Sequence, residues 1–385
     1  GFSAYYTAAS LVRAGADPAR FYDDDWFFAA TQRIVDGRAG DIYNTNTPVT
    51  ALLLAPLVGL APARARVAWT LLNLCFLGLA LAVTLRATRG DRLAGALGLG
   101  LLALYQPVAQ QLYHGQAYAL VLLGEAAILW AYLARREALA GGVLGLLLIG
   151  KTAGLLLPLL LLAQRRWRAL GALLLAVAAV GLGTLPWLGL AAWRVYAAEL
   201  LRFRGRPEIA VTAYQDLPGL LAHLFRPDPR WNPTPLLDAP RLATALLLPL
   251  ALALVAPTLL ATWRADPAAR RGRALPFAAW MCLTVILSPV SEGYHFTLLL
   301  VPIAILLADW REVRPAPGRA ALTLLGVGLL AAPLPYQDPR LAAGAWALCA
   351  YPRLYGALIL WALALLALRG ASPRGGAGDP GEAAT

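Results

Sequence analysis

The sequence predicts an all-α, polytopic membrane protein, and three observations support that fold class. The chain of 385 residues is 59% hydrophobic and 14% charged, whereas soluble domains carry about 25% charged residues. Runs rich in leucine and alanine recur along it, and many approach the roughly 20 residues that a helix needs to cross about 30 Å of hydrocarbon. Short arginine clusters separate these runs, as basic loops separate membrane spans. We expect about ten spans or half-spans.

The net charge of +12 does not indicate nucleic-acid binding. The arginines lie in short clusters between apolar runs and not along one face, so we attribute them to membrane topology. The three cysteines are far apart, in or beside apolar runs, and are predicted to be packing residues. The sequence contains no metal-ligand spacing, Walker loop or dinucleotide fingerprint. We therefore predict neither a metal site nor a cofactor.

The chain divides into three segments of different composition. Residues 1–48 are polar and aromatic, which is typical of extracytoplasmic helices that lie in a membrane interface. A transmembrane domain is predicted over residues 49–369, with a long outer loop at 190–240. Residues 370–385 are rich in glycine, proline and alanine and are predicted to form a disordered cytoplasmic tail. Since the sequence opens on Gly1 in an amphipathic stretch, we expect that a first span upstream of it is missing.

Membrane spans are predicted wherever an apolar run approaches the length of a crossing. They are expected at about 66–86, 93–110, 116–133, 169–189, 242–263, 275–289, 295–310, 319–335 and 353–369. The positive-inside rule assigns the arginine-rich loops to the cytoplasm. The protein is thereby predicted to lie in the cell membrane, inner or plasma, with its polar loops on the extracytoplasmic side.

One apolar segment, residues 138–163, does not fit a single crossing. Arginine pairs flank both ends, so the segment must enter the membrane and return to the same side. At 1.5 Å per residue its length allows about 20 Å each way, which is less than a full crossing. The sequence therefore predicts a re-entrant hairpin of two short helices with Lys151 near its tip.

Lys151 is the only lysine of the chain and is predicted to lie at membrane depth. A lysine in hydrocarbon costs about 2.5–3.5 kcal/mol on insertion scales, so such a residue normally faces a cavity or a partner. An ammonium group acts on a phosphate as a point charge. We therefore expect an anion-binding role, and the alternatives are a lysine that snorkels or a structural ion pair.

Polar residues converge on the predicted outer side. They are His114, His223 and His295 with Gln116, Tyr214, Gln215, Asp216 and Glu292. Any one of them could simply mark the end of a span, but their convergence from several loops indicates a pocket. His114 and Gln116 could contact a phosphate or sugar hydroxyls. His295 could donate to an anion or carry a proton, and its alternative is an interfacial capping histidine.

Several short segments occur in an order that is typical of a known family. They are Phe2-Ser3-Ala4-Tyr5-Tyr6, Asn46-Thr47-Pro48, His114-Gly115-Gln116, the run AGGVLGLLLIGKTAGLLLPLLLL followed by RRWR, and SPVSEGYHF. Together they resemble glycosyltransferase family 87 over most of residues 1–310. The element Tyr214-Gln215-Asp216-Leu217 matches a short Asn-Gln-Ser-Leu element of that family only in part.

The resemblance implies an enzyme of the GT-C type, which is a multispan, inverting, metal-independent glycosyltransferase with an extracytoplasmic active site. Similar members transfer mannose, or in some cases arabinofuranose, from a polyprenyl-phosphate carrier to a lipid or glycan acceptor. The resemblance implies that Lys151 and His295 lie near the donor phosphate. The pocket is expected to be lined by Tyr5, Tyr6, Asn46, His114, Gln116, Tyr214, Gln215 and Glu292.

An inverting transfer also needs a carboxylate base that takes the proton of the acceptor hydroxyl. The base of the family is an aspartate at the end of the first span, immediately before the Phe-x-x-Tyr-Tyr stretch. That position falls at or just before Gly1. Asp23, Asp24 and Asp25 are the acids within the chain that could act instead, although adjacent acids in a loop are more often solvated.

Two further functions compete with glycosyl transfer. A transporter or flippase of lipid-linked sugars would also hold a lipid phosphate, but transporters often carry paired halves with broken helices, and this sequence shows one hairpin and no duplicated half. A non-catalytic membrane subunit would need neither Lys151 nor a clustered polar face. Replacement of Lys151 separates these possibilities.

Overall fold

The computed structural model describes residues 1–37, 40–203, 205–313 and 316–369. Within these ranges the chain is all-helical and contains no strand. The predicted fold class, an all-α polytopic membrane protein, is confirmed. The tail predicted to be disordered, residues 370–385, lies outside the described residues.

Helices of 7 to 27 residues follow one another along the described chain, with several 3₁₀ turns between them. The α-helices are α1 (Phe2–Arg13), α2 (Asp24–Ile34), α3 (Pro62–Thr88), α4 (Arg92–Leu104), α5 (Gln106–His114), α6 (Tyr118–Leu133), α7 (Glu137–Lys151), α8 (Leu157–Ala163), α9 (Trp167–Gly183), α10 (Leu185–Phe203), α11 (Leu217–Phe225), α12 (Pro240–Arg264), α13 (Arg271–Leu287), α14 (Leu300–Glu312), α15 (Pro317–Ala331) and α16 (Pro352–Arg369). The 3₁₀ turns nearest the site are Pro48–Leu52, Ala55–Leu57 and Gly293–Leu299.

Four helical stretches of the described chain are long and apolar enough to cross a membrane by length and composition. They are α3, α12, the stretch Gly293–Glu312 that ends in α14, and α16. Two bent pairs, α4 with α5 and α9 with α10, bring the number to six if each pair counts as one span. Leucines cover the outer surfaces of α3 and α12, as expected for helices in contact with lipid.

Two runs predicted as straight spans are broken helices. The run 93–110 is divided between α4 and α5, which are bent by 56°, and the run 169–189 is divided between α9 and α10, which are bent by 106°. A proline lies in the first turn of both α5 and α10. Because proline lacks a backbone N–H, it starts a helix more readily than it continues one.

The predicted hairpin is present in the structure as α7 and α8. Lys151 ends α7, and Thr152 follows it with φ 52 in the left-handed region. By residue 169 the chain has returned to the level of residue 141, because a Cβ on Gly141 would collide with the carbonyl oxygen of Ala169. The helices α7 and α9 therefore run in the same direction with α8 as the return between them.

The N-terminal segment, predicted to lie in the membrane interface, packs against the rest of the helical structure. One face of α1 is buried, including Phe2, Tyr5 and Tyr6, and it contacts the turns at Pro48–Leu52 and Ala55–Leu57. The main apolar core surrounds α13, whose middle residues are inaccessible to solvent. The end of α13 leads directly into the loop that carries Glu292 and His295.

Candidate active site

Lys151 is half-buried, and its ammonium group contacts neutral polar partners. Nζ donates to the Tyr5 hydroxyl over 2.9 Å and to Asn46 Oδ1 over 2.8 Å. It also lies 5.1 Å from the centroid of the Tyr5 ring and 5.5 Å from that of Tyr118, within the range of cation–π attraction. No carboxylate in the described chain forms an ion pair with Lys151. The ammonium is therefore free to pair with an anionic ligand.

The hairpin tip is fixed by the turn that contains Asn46. The hydroxyls of Thr47 and Thr50 donate to the Gly150 carbonyl over 2.9 Å and 2.6 Å. This carbonyl lies in the last turn of α7, where the helix leaves acceptors unsatisfied. The segment 46–50 therefore holds both the backbone before Lys151 and the side chain of Lys151.

Tyr5 connects this lysine to the His114-Gly115-Gln116 loop. The Tyr5 hydroxyl donates to Gln116 Oε1, and Trp69 Nε1 donates to the Gly115 carbonyl over 2.8 Å. Gly115 has φ 60, which is the left-handed conformation that glycine adopts at little cost. Gln116 is thus placed directly beside the Lys151 partner, as expected of a pocket residue.

The ring of Tyr118 brings His295 close to the same group. It lies 4.4 Å from the His295 ring, centroid to centroid, and 5.5 Å from Lys151 Nζ. Within the described part of the chain His295 Nδ1 has no hydrogen-bond partner, although it is inaccessible to solvent, and an unpaired buried polar group of this kind is uncommon in folded proteins. The structure therefore brings Lys151 and His295 together at the ring of Tyr118.

Glu292 and His114 lie at the edge of this group. Glu292 accepts a hydrogen bond from the Tyr294 hydroxyl over 2.8 Å, and the Tyr294 ring lies 5.9 Å from the His114 ring. Burial raises the pKa of the Glu292 carboxyl above its usual range. His114 is exposed, so it is accessible to a ligand at the mouth of the site.

Three buried residues hold the loop that carries Glu292 and His295. The backbone N–H of Gln215 donates to the Ser291 carbonyl over 2.8 Å, and the Ser291 N–H donates to Asp216 Oδ2 over 2.6 Å. Arg353 Nη1 donates to the Gly293 carbonyl over 2.9 Å. Gln215 is predicted to line the pocket, and in the structure its side-chain amide donates to the carbonyls of Thr212 and Ala350 over 2.7 Å each. Arg353 is too far away in sequence to be recognised without the fold.

Two other residues predicted to lie on the outer side do not contact Lys151. His223 is bonded on both ring nitrogens, to the Tyr351 hydroxyl over 3.1 Å and to the Ala342 carbonyl over 2.8 Å, which assigns it to the packing of these loops. Tyr214 is half-buried immediately before Gln215. Tyr6 donates to the Leu60 carbonyl over 2.7 Å and fixes α1 to the following turn.

The three adjacent acids near the start of the chain have structural partners. Asp23 caps α2 by accepting from the Trp26 N–H over 3.1 Å, and Asp24 pairs with Arg206 over 3.1 Å. Asp25 is exposed in the first turn of α2. Each therefore has a role in the helix or at the surface that does not require catalysis.

Asp41 is an acid near the site that sequence reasoning missed. Its Oδ2 accepts from the Ala4 N–H over 3.1 Å and lies 2.7 Å from the nitrogen of Gly1, so the carboxylate stands at the amino end of α1. Gly1 itself packs against the backbone of His114. No local sequence pattern links Asp41 to α1, because the two are joined only by the fold.

The model of one protein family, glycosyltransferase family 87, matches residues 44–289, more than half of the chain. The chain belongs to glycosyltransferase family 87. The match contains Asn46, His114 and Lys151, while His295 lies just beyond it. Comparison with curated proteins gives no match, and comparison with solved structures gives none either.

Membership of family 87 makes this protein a membrane glycosyltransferase. Such an enzyme requires a sugar donor and an acceptor. In this family 87 member the hydrogen-bonded group Lys151–Tyr5–Gln116, together with Asn46, Tyr118 and His295, is the candidate active site. Among the described residues, no group of three or more His, Cys, Asp and Glu side chains is arranged to hold a metal ion.

Proposed function

We propose that this glycosyltransferase takes its sugar, mannose in the first instance, from a polyprenyl-phosphate donor and transfers it to a lipid or glycan acceptor outside the cytoplasm. The observation that supports this proposal is the environment of Lys151. A half-buried ammonium with neutral partners and no paired carboxylate in the described chain is suited to a phosphate that approaches from the membrane. The apolar helices around it would accommodate the polyprenyl chain.

The chemistry places charge on that phosphate. As the acceptor oxygen bonds to the anomeric carbon, the bond from this carbon to the phosphate oxygen breaks and its electron pair remains on the phosphate. Lys151 Nζ stabilises the growing negative charge. His295, which contacts the same Tyr118 ring, donates a hydrogen bond to that phosphate. One positioned donor of this kind is worth about 10²–10³ in kcat.

A carboxylate must accept the proton of the acceptor hydroxyl on the face opposite the phosphate. The base that the family resemblance implies, at or just before Gly1, would lie beside His114, because Gly1 packs against its backbone. It would thus emerge at the mouth of the site where an acceptor arrives. Asp23, Asp24 and Asp25 remain alternative bases, although their contacts favour structural roles.

We further propose a GT-C arrangement with the site on the extracytoplasmic side of the cell membrane. The amino ends of α7 and α9 are rich in arginine, whereas Lys151 is at the carboxyl end of α7. If the positive-inside rule applies to these ends, Lys151 is reached from the outer side. This orientation agrees with the use of a lipid-linked donor in place of a cytoplasmic nucleotide sugar.

The test is transfer of radiolabelled mannose from polyprenyl-phosphate mannose by the purified enzyme in lipid vesicles that also contain membrane acceptors. Lys151→Met is expected to reduce kcat/KM about 10²–10³-fold, while its Tm stays close to that of the wild type. The matched control is Arg241→Met, which removes an exposed cation at the start of α12. Unchanged transfer by Lys151→Met would overturn the role of this lysine.

The same preparation distinguishes the competing functions. If the donor lipid carries a fluorescent label, a flippase would move it between leaflets without forming a glycosylated product. Transfer from a nucleotide sugar, with none from the polyprenyl-phosphate sugar, would overturn the donor class and leave the glycosyltransferase assignment intact.

A further inference from the structure

A second group of charged residues lies at the other end of α7 from Lys151. An open cavity of about 630 Å³ is lined there chiefly by Arg135, Arg136, Glu137, Arg165, Trp167 and Arg168. Glu137 accepts a hydrogen bond from Arg166 over 2.9 Å, so its charge is already compensated. None of the four arginines that line the cavity forms an ion pair with a carboxylate of the described chain.

The packing of α7 on α9 concentrates positive potential at this cavity. The two helices run in the same direction and touch closely, since a Cβ on Gly145 would lie 2.6 Å from the Leu173 carbonyl oxygen. Their amino ends therefore lie side by side. Neither N-cap residue, Arg136 or Arg166, caps its helix through its side chain. Free amide groups and partial positive charge from two helices thus add to the arginines.

The neighbouring loop offers carbonyl acceptors to three arginines at this end of α7. The carbonyls of Pro267 and Ala268 accept hydrogen bonds from Arg135 over 3.3 Å, from Arg166 over 3.2 Å and from Arg273 over 2.7 Å and 2.9 Å. Carbonyl dipoles offset part of this charge and remove none of it. Excess positive charge therefore remains at the cavity.

Arg165 and Arg168 carry part of this excess charge. Both are exposed, and both line the cavity. A topology signal requires basic residues in a loop, but it requires neither a cavity nor two aligned helix ends. The arrangement is therefore more specific than the positive-inside rule demands, and it is complementary to a phosphate.

Apolar surface continues from the cavity along both helices. Trp167 is 63% exposed at its rim, which suits a ring at the membrane interface. Leu139 and Leu146 on α7 and Leu174 on α9 are 44%, 50% and 66% exposed, at helical spacing below the arginines. A free phosphate would not contact this apolar surface, whereas the acyl chains of a phospholipid would cover it.

We propose that this cavity binds the headgroup phosphate of an anionic diacylphospholipid from the leaflet at that end of the protein. The phosphate lies between Arg165 and Arg168, and the acyl chains follow the leucines of α7 and α9. Basic pockets between membrane helices are well suited to such headgroups. This site is separate from the sugar-transfer site and does not depend on the donor proposed for it.

The test compares lipid retention by the full chain and by Arg165→Gln/Arg168→Gln. The protein is reconstituted in nanodiscs of mixed phosphatidylglycerol and phosphatidylcholine, released into mild detergent and examined by native mass spectrometry. The matched control is Arg241→Gln/Arg340→Gln, which removes two exposed charges elsewhere. With each arginine contributing to the affinity, the double variant is expected to bind phosphatidylglycerol about 30-fold more weakly, and the control to match the wild type.

Two results of the native mass spectrometry would overturn the proposal. One is equal retention of phosphatidylglycerol by the wild type and the double variant. The other is equal retention of phosphatidylglycerol and phosphatidylcholine by the wild type. A third arm adds soluble glycerol phosphate and follows Tm. Protection by glycerol phosphate equal to that by the lipid would show a free-phosphate site and reject the lipid as occupant.

Discussion

Asn46 Oδ1 accepts a hydrogen bond from Lys151 Nζ over 2.8 Å, and the two residues come from segments that share no helix. The bond orients one of the three donors of the ammonium group toward the turn before α3. A second donor is directed to the Tyr5 hydroxyl, and the third has no acceptor among the described residues. Asn46 thus helps to decide where a phosphate meets Lys151.

Replacement of Asn46 is expected to weaken donor use. Asn46→Ala removes a hydrogen bond to a charged group, which should lower kcat/KM for the polyprenyl-phosphate sugar about 10–100-fold. Asn46→Asp places a carboxylate against the ammonium that competes with the donor phosphate, so the donor KM should rise further. Asn44→Ala, two residues earlier, is the control. Equal activity of Asn46→Ala and Asn44→Ala would contradict this role.

The hydroxyl of Thr50 is expected to stabilise the hairpin tip. Thr50→Val leaves the Gly150 carbonyl with one fewer donor and is expected to cost about 1–3 kcal/mol, visible as a lower Tm. Transfer should fall with it, because Lys151 follows Gly150 directly. Thr70→Val removes a hydroxyl that bonds within α3 and should change neither quantity much. A Tm for Thr50→Val that equals the wild-type value would refute the contact.

Two adjacent glycines of α7 are expected to respond in opposite ways to alanine. A Cβ on Gly141 collides with Ala169, so Gly141→Ala should force α7 and α9 apart at a cost of about 1–3 kcal/mol. A Cβ on Gly142 meets nothing within 4 Å, so Gly142→Ala should be neutral or stabilise the helix by up to about 1 kcal/mol. Thermal unfolding in detergent gives both values, and equal shifts would argue against the close helix contact.

Variants of the acidic triplet separate structure from catalysis. Asp23→Ala removes a helix cap and should lower stability by about 1 kcal/mol. Asp24→Asn breaks the pair with Arg206 and should have a similarly small effect. Transfer per folded molecule is expected to stay near the wild-type value for both, and for Asp25→Asn. A fall of about 10³-fold in any one of them would identify that residue as the base.

The raised pKa of Glu292 predicts a pH dependence of stability. Because burial raises the pKa in the folded state, the folded protein binds this proton more tightly than the unfolded chain does. The contribution of Glu292 to stability is therefore greatest at low pH and is lost as pH rises from the ordinary glutamate value through the raised one. Glu292→Gln should gain Tm relative to the wild type across that interval. A constant Tm difference between the two proteins would contradict the shift.

Several elements of the fold could be predicted from sequence patterns. Arginines on both sides of a segment too short to cross twice indicate a hairpin, and the structure has α7 and α8 there. The bends within 93–110 and 169–189 were not expected, although Pro107 and Pro186 are the local signals that could have indicated them. Hydropathy averages over such breaks, because a run of leucines is equally apolar whether straight or bent.

The candidate site could be predicted only for residues that are unusual where they stand. Lys151 is a lone lysine in an apolar run, and the sequence alone singles it out. Asp41, Tyr118 and Arg353 are ordinary in their local context and become informative only through contacts with distant segments. Tyr118 looks like the first aromatic residue of a span, yet its ring contacts both Lys151 and His295.

The length of α7 has a consequence for the bilayer. Its 15 residues separate the arginine-lined end from Lys151 by at most about 22 Å, which is less than the roughly 30 Å of a hydrocarbon core. If phospholipid phosphates hold the arginine-lined end at the membrane surface, the length of α7 fixes the distance of Lys151 from that surface. Thicker bilayers would then bury Lys151 further below the surface from which the acceptor approaches, and membrane thickness would become a determinant of turnover.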